Sequence, residues 1–168
     1  MPKNKRRKKR NPYVIPIVVA GALALFLFGY VDDWSRDFTR NSAAISPDAE
    51  DKSLLPLVSR LSTEHLIEAA RRAGGRIRTW EHIGAAKEGN TTLVLFERTS
   101  RIWKFKDDII IIIEDLGRER MISGKSASRI GFGDLGQNPR NLRRFLAEIR
   151  AVLEGAGVPV DQPVGLRS

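Results

Sequence analysis

Cysteine is absent from the 168 residues, and histidine occurs only twice. The first absence excludes disulfides, thiolate metal ligands, cysteine nucleophiles and a cysteine-linked lipid anchor; a domain of ~100 residues can fold without such staples. The second leaves His65 and His82, on different predicted elements, as a poor basis for a zinc site, so no metal and no cofactor are expected. Spacing alone supports no Ser-His-Asp arrangement. Charge is also missing from residues 11 to 31.

That gap orders the rest of the charge. Of 29 Lys and Arg, Lys3, Lys5, Arg6, Arg7, Lys8, Lys9 and Arg10 precede it, so 22 cations face 20 carboxylates from residue 32 onward. The formal net charge of +9 therefore sits mostly at the N-terminus, and the remainder, at +2, lacks the domain-wide basic footprint of a nucleic-acid binder. The uncharged stretch "YVIPIVVAGALALFLFGYV", residues 13–31, is long enough at ~1.5 Å rise per residue to span a hydrocarbon core of ~30 Å. Pro16 falls in its first turn, and Tyr13, Tyr30 and Trp34 flank it where interfacial aromatics collect. No small-x-small cleavage site follows, so it reads as an uncleaved anchor rather than a signal peptide. The positive-inside tendency places residues 1–12 in the cytoplasm, where the cations can also meet anionic lipid headgroups, and sends the rest to the extracytoplasmic side. A nuclear-localisation role for "KNKRRKKR" is set aside by the span behind it.

Residues 32–56 are polar and interrupted and read as a linker; residues 57–157 read as a domain; residues 158–168, with two prolines, read as a tail. Within the domain, Ser62 is an N-cap with Leu61 and Leu66 spaced for a hydrophobic staple, and Gly74 and Gly75 end a helix begun near Thr63. Strand-like runs cover residues 77–85, 91–98, 108–114 and 120–127, with "EGNT" and "EDLGR" as hairpin signals. Asn138 and Pro139 then open a helix whose apolar face runs through Leu142, Phe145, Leu146, Ile149, Val152 and Leu153 until Gly155 and Gly157. The expected fold class is α+β: a helix, a four-stranded antiparallel meander and a C-terminal helix, behind a single transmembrane helix. "TLVLF" and "IIIII" are apolar on both strand faces, and Ile102, Trp103, Phe105, Leu54, Leu55, Leu57 and Val58 are the expected cover for the second face.

Gly131, Gly133 and Gly136 spell G-x-G-x-x-G. A dinucleotide fold would place this loop in a βαβ unit behind a buried apolar strand, with another strand to follow, whereas "RERMISGKSA" is polar and only one helix and a tail come after.

The longer stretch "KSASRIGFGDLGQNPRNLRRF", with "KDDIIIII" upstream, resembles the domain-of-unknown-function family 1499. The matching positions are Asp107, Asp108, Ser126, Ser128, Arg129, Gly131, Asp134, Leu135, Gly136, Asn138 and Arg140. Gly133 stands where the family often has Ser, and Asn141 where it often has Arg. The resemblance implies an α+β domain of a kind found behind signal sequences or membrane anchors, with no reaction assigned.

The residues allow two readings of the motif. In one, Arg129 and Asp134 meet across a turn, Asp134 or Asn138 caps the last helix, and the network fixes that helix on the sheet. In the other, the same groups form a polar pocket, with Arg129, Arg140 and the helix N-terminus facing an anion. The candidate binding set is Ser126, Ser128, Arg129, Asp134, Asn138, Arg140, Asp107 and Asp108. Adjacent strand residues point to opposite faces, so Asp107 and Asp108 should not share one substrate atom. The expected function is a non-catalytic binding or interaction module of the cell envelope, with an unidentified envelope ligand or protein as partner. The alternative is an envelope hydrolase or transferase using Asp107, Asp108 or Asp134 as acid or base around Arg129.

Overall fold

The computed structural model describes residues 41–101, 104–130 and 135–161. The expected basic tail, the membrane span at 13–31, Asp134 and the end of the C-terminal tail lie outside the described residues. Among the described residues no helix is long and apolar enough to cross a membrane.

Six strands form one antiparallel sheet: β1 (Ser42–Ile45), β2 (Leu57–Ser59), β3 (Trp80–Glu88), β4 (Thr91–Thr99), β5 (Lys106–Asp115) and β6 (Arg120–Ser128). Helix α1 (Thr63–Arg76) joins β2 to β3, and α2 (Gln137–Gly155) follows β6. The expected meander is present as β3 to β6, paired in sequence order. Its β5–β6 hairpin turns at Gly117, whose φ of 89° lies where a side chain is strained.

The stretch read as a linker contributes to the sheet. β1, inside residues 32–56, pairs with residues 124–127 of β6, while β2 pairs with residues 120–122 of the same strand. Together they make one interrupted edge, broken by a 3-10 turn at Lys52–Leu54 that Asp51 caps. Neither segment has a strand signal of its own: "SAAI" buries only Ile45, and β2 is three residues long. Pairing to β6 makes them strands. The tail also begins in contact, since Val58 and Asp161 exchange both backbone hydrogen bonds.

Alternation decides the layers. Val94, Phe96, Ile109, Ile111, Ile113 and Ile122 point to one face, where they form a single core with Leu66, Ala70 and Ala73 of α1 and Leu142, Phe145, Ile149 and Leu153 of α2. Ser62 caps α1 as expected, its Oγ accepting from His65 N. Gly74 does not end that helix. It lies inside it because a Cβ there would fall 2.3 Å from Phe96 Cε1. The other sheet face, with Leu93, Leu95, Ile110 and Ile112, is half-buried. Its expected cover is corrected in part: Leu54 and Leu57 belong to the helix-side core and Phe105 is 47% exposed, while Ile102 and Trp103 lie outside the described residues.

Candidate functional site

The end of the sheet where β1 begins and β6 ends gathers most of the motif. Strand register sets Arg98 of β4 opposite Asp107 of β5, and Asp107 opposite Ser128 of β6. All three sit at the inward parity of the core residues, so polar side chains here must satisfy one another. Arg98 Nη1 donates to Asp107 Oδ2 at 2.6 Å, and Ser128 Oγ donates to Asp107 Oδ1 at 2.8 Å. The first turns of α2 complete the lattice from above. Asn141 Nδ2 donates to Asp107 Oδ2 at 3.1 Å and to Ser126 Oγ at 3.2 Å. Ser126 Oγ in turn donates to Asn138 Oδ1 at 2.5 Å. Asn138 Nδ2 donates to Ser128 Oγ at 3.2 Å and to the Asn41 carbonyl at 2.7 Å.

The accounting closes. Each amide hydrogen of Asn138 and Asn141, and each hydroxyl hydrogen of Ser126 and Ser128, has an acceptor inside the lattice, and both Asp107 oxygens accept. Ser126 and Asn138 are fully buried. The lattice therefore ties Asn41, the residue before β1, to β4, β5, β6 and α2 at one point.

Asn138 does not cap α2. The helix starts two residues earlier than expected, at Gln137, with Gly136 in the left-handed conformation as N-cap, and the Asn138 side chain is spent on the sheet. Pro139 still falls among the first residues, where a missing N–H is tolerated.

Asp108 and Arg129 lie on the opposite sheet face. Arg129 donates to Asp108 through Nε at 3.0 Å and Nη2 at 2.6 Å, and its Nη2 is 3.0 Å from Glu97 Oε2. The Arg129 hydrogen bonds hold the Asp108 carboxyl below its ordinary range, and the same bonds push the Arg129 guanidinium up. Glu97 is also held low, chiefly by its bond to Lys106. Thus Arg129 has partners on β5 and β4; the pairing expected with Asp134 concerns a residue outside the described ones. Arg140, on the helix side, donates from Nη2 to the Leu135 carbonyl at 2.5 Å.

Beside the lattice a cleft of ≈ 600 Å³ opens between the α2 N-terminus, the end of α1 and the β4 end of the sheet. Arg98, Arg101, Arg140 and Arg144 line it together with Trp80 and Gln137, and no carboxylate lines it among the described residues. Of these only Arg140 belongs to the motif. Arg98 had one sequence signal, an inward parity shared with Val94 and Phe96; Arg101 and Arg144 had none, because their convergence depends on how α2 docks. His65 and His82 remain apart on α1 and β3, and among the described residues no cluster of metal-ligating side chains forms.

A family model described as "Protein of unknown function (DUF1499)" matches residues 37–149, from the segment before β1 into α2. No curated protein matches the chain. Among solved structures, the Ran-binding protein Mog1p of Saccharomyces cerevisiae is similar at 7% identity, with 68% of this chain and 75% of that chain covered and a TM-score of 0.32. A mutant of protein Mog1 is similar at 10% identity, with 74% and 82% covered and a TM-score of 0.32. Both likenesses are too slight to bear on fold or function.

Proposed function

From the premise that the chain belongs to the family described as Protein of unknown function (DUF1499), we propose that it is a single-pass membrane protein whose extracytoplasmic domain is a non-catalytic binding module of the cell envelope. Residues 1–12 remain in the cytoplasm in this reading, residues 13–31 span the bilayer, and the α+β domain stands beyond it. The charge order supports it, with seven cations before an uncharged stretch of membrane-spanning length.

The observation that carries the non-catalytic reading is how the motif's two described carboxylates are spent. Asp107 accepts from Arg98, Ser128 and Asn141 beneath α2, and Asp108 is clamped by Arg129 on the other face. General acid or base work calls for a carboxyl whose proton can come and go near neutral pH. Asp108 is pushed the other way, and Asp107 is committed to holding the helix on the sheet. The lattice instead braces an open cleft, which is what a binding module requires.

The cysteine-free chain permits a direct test of orientation. Single-cysteine variants Asn4→Cys and Glu88→Cys are exposed in intact cells to a membrane-impermeant maleimide. Glu88→Cys is expected to label, and Asn4→Cys to label only after lysis. Labelling of Asn4→Cys in intact cells would overturn the topology.

A further inference from the structure

We infer that the arginine cleft is an anion site whose ligand carries a phosphate group. The inference rests on the reading of the domain as a binding module and names the chemistry of what it binds.

Four guanidinium groups converge on one concave surface, and no carboxylate lines it among the described residues. Arg98 is neutralised from behind by Asp107 at 2.6 Å, and Arg140 is bonded to the Leu135 carbonyl. Elsewhere in the domain Arg60, Arg72, Arg120, Arg129 and Arg143 each lie within ion-pair distance of a carboxylate. Arg101 and Arg144 are exposed and make no ion pair among the described residues. Like charges gathered in a cleft raise its potential and draw in an anion, which relieves their repulsion. Guanidinium forks match the oxygens of a phosphate bidentately, and several forks suit the three or more oxygens of a phosphate better than the two of a carboxylate.

Two further features of the cleft agree. Gln137, the first residue of α2, lines it, so the first turn of that helix, where its positive partial charge lies, borders the same space. Its apolar wall is Ile77 and Trp80, the latter stacked nearly parallel on Phe145 at a centroid distance of 6.0 Å. This rigid wall offers a surface to an uncharged portion of the ligand.

The cleft lies at the end of the domain where the chain arrives from residues 1–40, because Asn41 is bonded to Ser128 and Asn138. Both a lipid headgroup and a soluble phosphate compound can reach that position, and the same chemistry would hold either.

The test uses the full chain in nanodiscs of zwitterionic phosphatidylcholine, titrated with inorganic pyrophosphate by calorimetry. The wild-type protein is expected to bind. The double variant Arg101→Gln/Arg144→Gln should lose about tenfold or more in affinity, since each arginine supplies charged hydrogen bonds. Arg118→Gln, in the β5–β6 hairpin away from the cleft, should bind as the wild type does. No binding by the wild type, or equal binding by the double variant, overturns the proposal. In discs that also contain phosphatidic acid, weaker apparent pyrophosphate affinity for the wild type alone identifies a lipid headgroup as the source, and unchanged affinity identifies a soluble anion. Release of orthophosphate in the same samples would leave the anion site standing and overturn the non-catalytic reading.

Discussion

Asp107 and Asp108 are consecutive in the chain and belong to different layers of the molecule. Asp107 lies on the helix side, 2.6 Å from Arg98, with side chains 4% and 16% exposed; Asp108 lies on the other face, paired to Arg129, with side chains 48% and 45% exposed. Identical substitutions should therefore differ widely in cost. Asp107→Asn removes the counter-charge of a largely buried guanidinium, and a loss of about 3–5 kcal/mol is expected. Asp108→Asn breaks a surface pair, and about 0–1 kcal/mol is expected. Urea denaturation followed by circular dichroism measures both, and similar losses would mean that the two faces have been misassigned.

The lattice around Asn141 permits a sharper test than truncation. Asn141→Ala leaves Asp107 and Ser126 short of a donor and should cost about 1–3 kcal/mol. Asn141→Asp retains the size but sets a second carboxylate against Asp107, where the amide nitrogen now stands at 3.1 Å. At neutral pH Asn141→Asp should unfold at lower temperature than Asn141→Ala, and the order should narrow on acidification as the introduced pair takes up a proton. Thermal melts at two pH values decide it.

Acid stability follows from the outward-facing cluster. Asp108 and Glu97 have folded-state pKa values below their ordinary ones, through hydrogen bonds to Arg129 and Lys106 respectively. A depressed carboxylate contributes stability that is fully present above its unfolded pKa, about 4, and lost as pH falls through the folded value. These groups should give no slope between pH 7 and 5 and a shallow loss below about pH 4, since exposed pairs are worth little. Asp108→Asn combined with Glu97→Gln should make that acid limb slightly shallower. An unchanged limb would show that other carboxylates govern it.

Two adjacent glycines should respond in opposite ways. Gly74→Ala drives a methyl group to within 2.3 Å of the Phe96 ring, which itself leans on Trp80 at a centroid distance of 5.4 Å. Overpacking there should cost about 1–3 kcal/mol. Gly75→Ala meets no atom within 4 Å and replaces a poor helix former, so a gain of up to about 1 kcal/mol is expected. Comparison of the two melting temperatures tests whether Gly74 is required for packing rather than for ending the helix.

What could be read in the chain was local or periodic. The Ser62 cap, the two hairpins and the apolar face of α2 each depend on residues within a few positions of one another, and all are present. The opposite facing of Asp107 and Asp108 also follows from the two-residue period of a strand. Gly74 was misread because a glycine near the end of a helical pattern looks the same whether it stops the helix or makes room for a ring from another strand. Asn138 was misread for a similar reason: an Asn before Pro is a good cap, until a buried Ser126 competes for the same side chain.

By itself, then, the sequence determined the class of fold and the order of its main elements, because backbone preferences and burial patterns act over a turn or a strand. Only the tertiary structure decided what the motif touches. Asn41 meets Asn138 across 97 positions, and Arg98 meets Asn141 through the carboxylate of Asp107. Edge strands without a pattern of their own, and a cleft whose arginines come from two sides, exist only once α2 has docked. Side-chain contacts between distant segments depend on that docking, and no local preference encodes it.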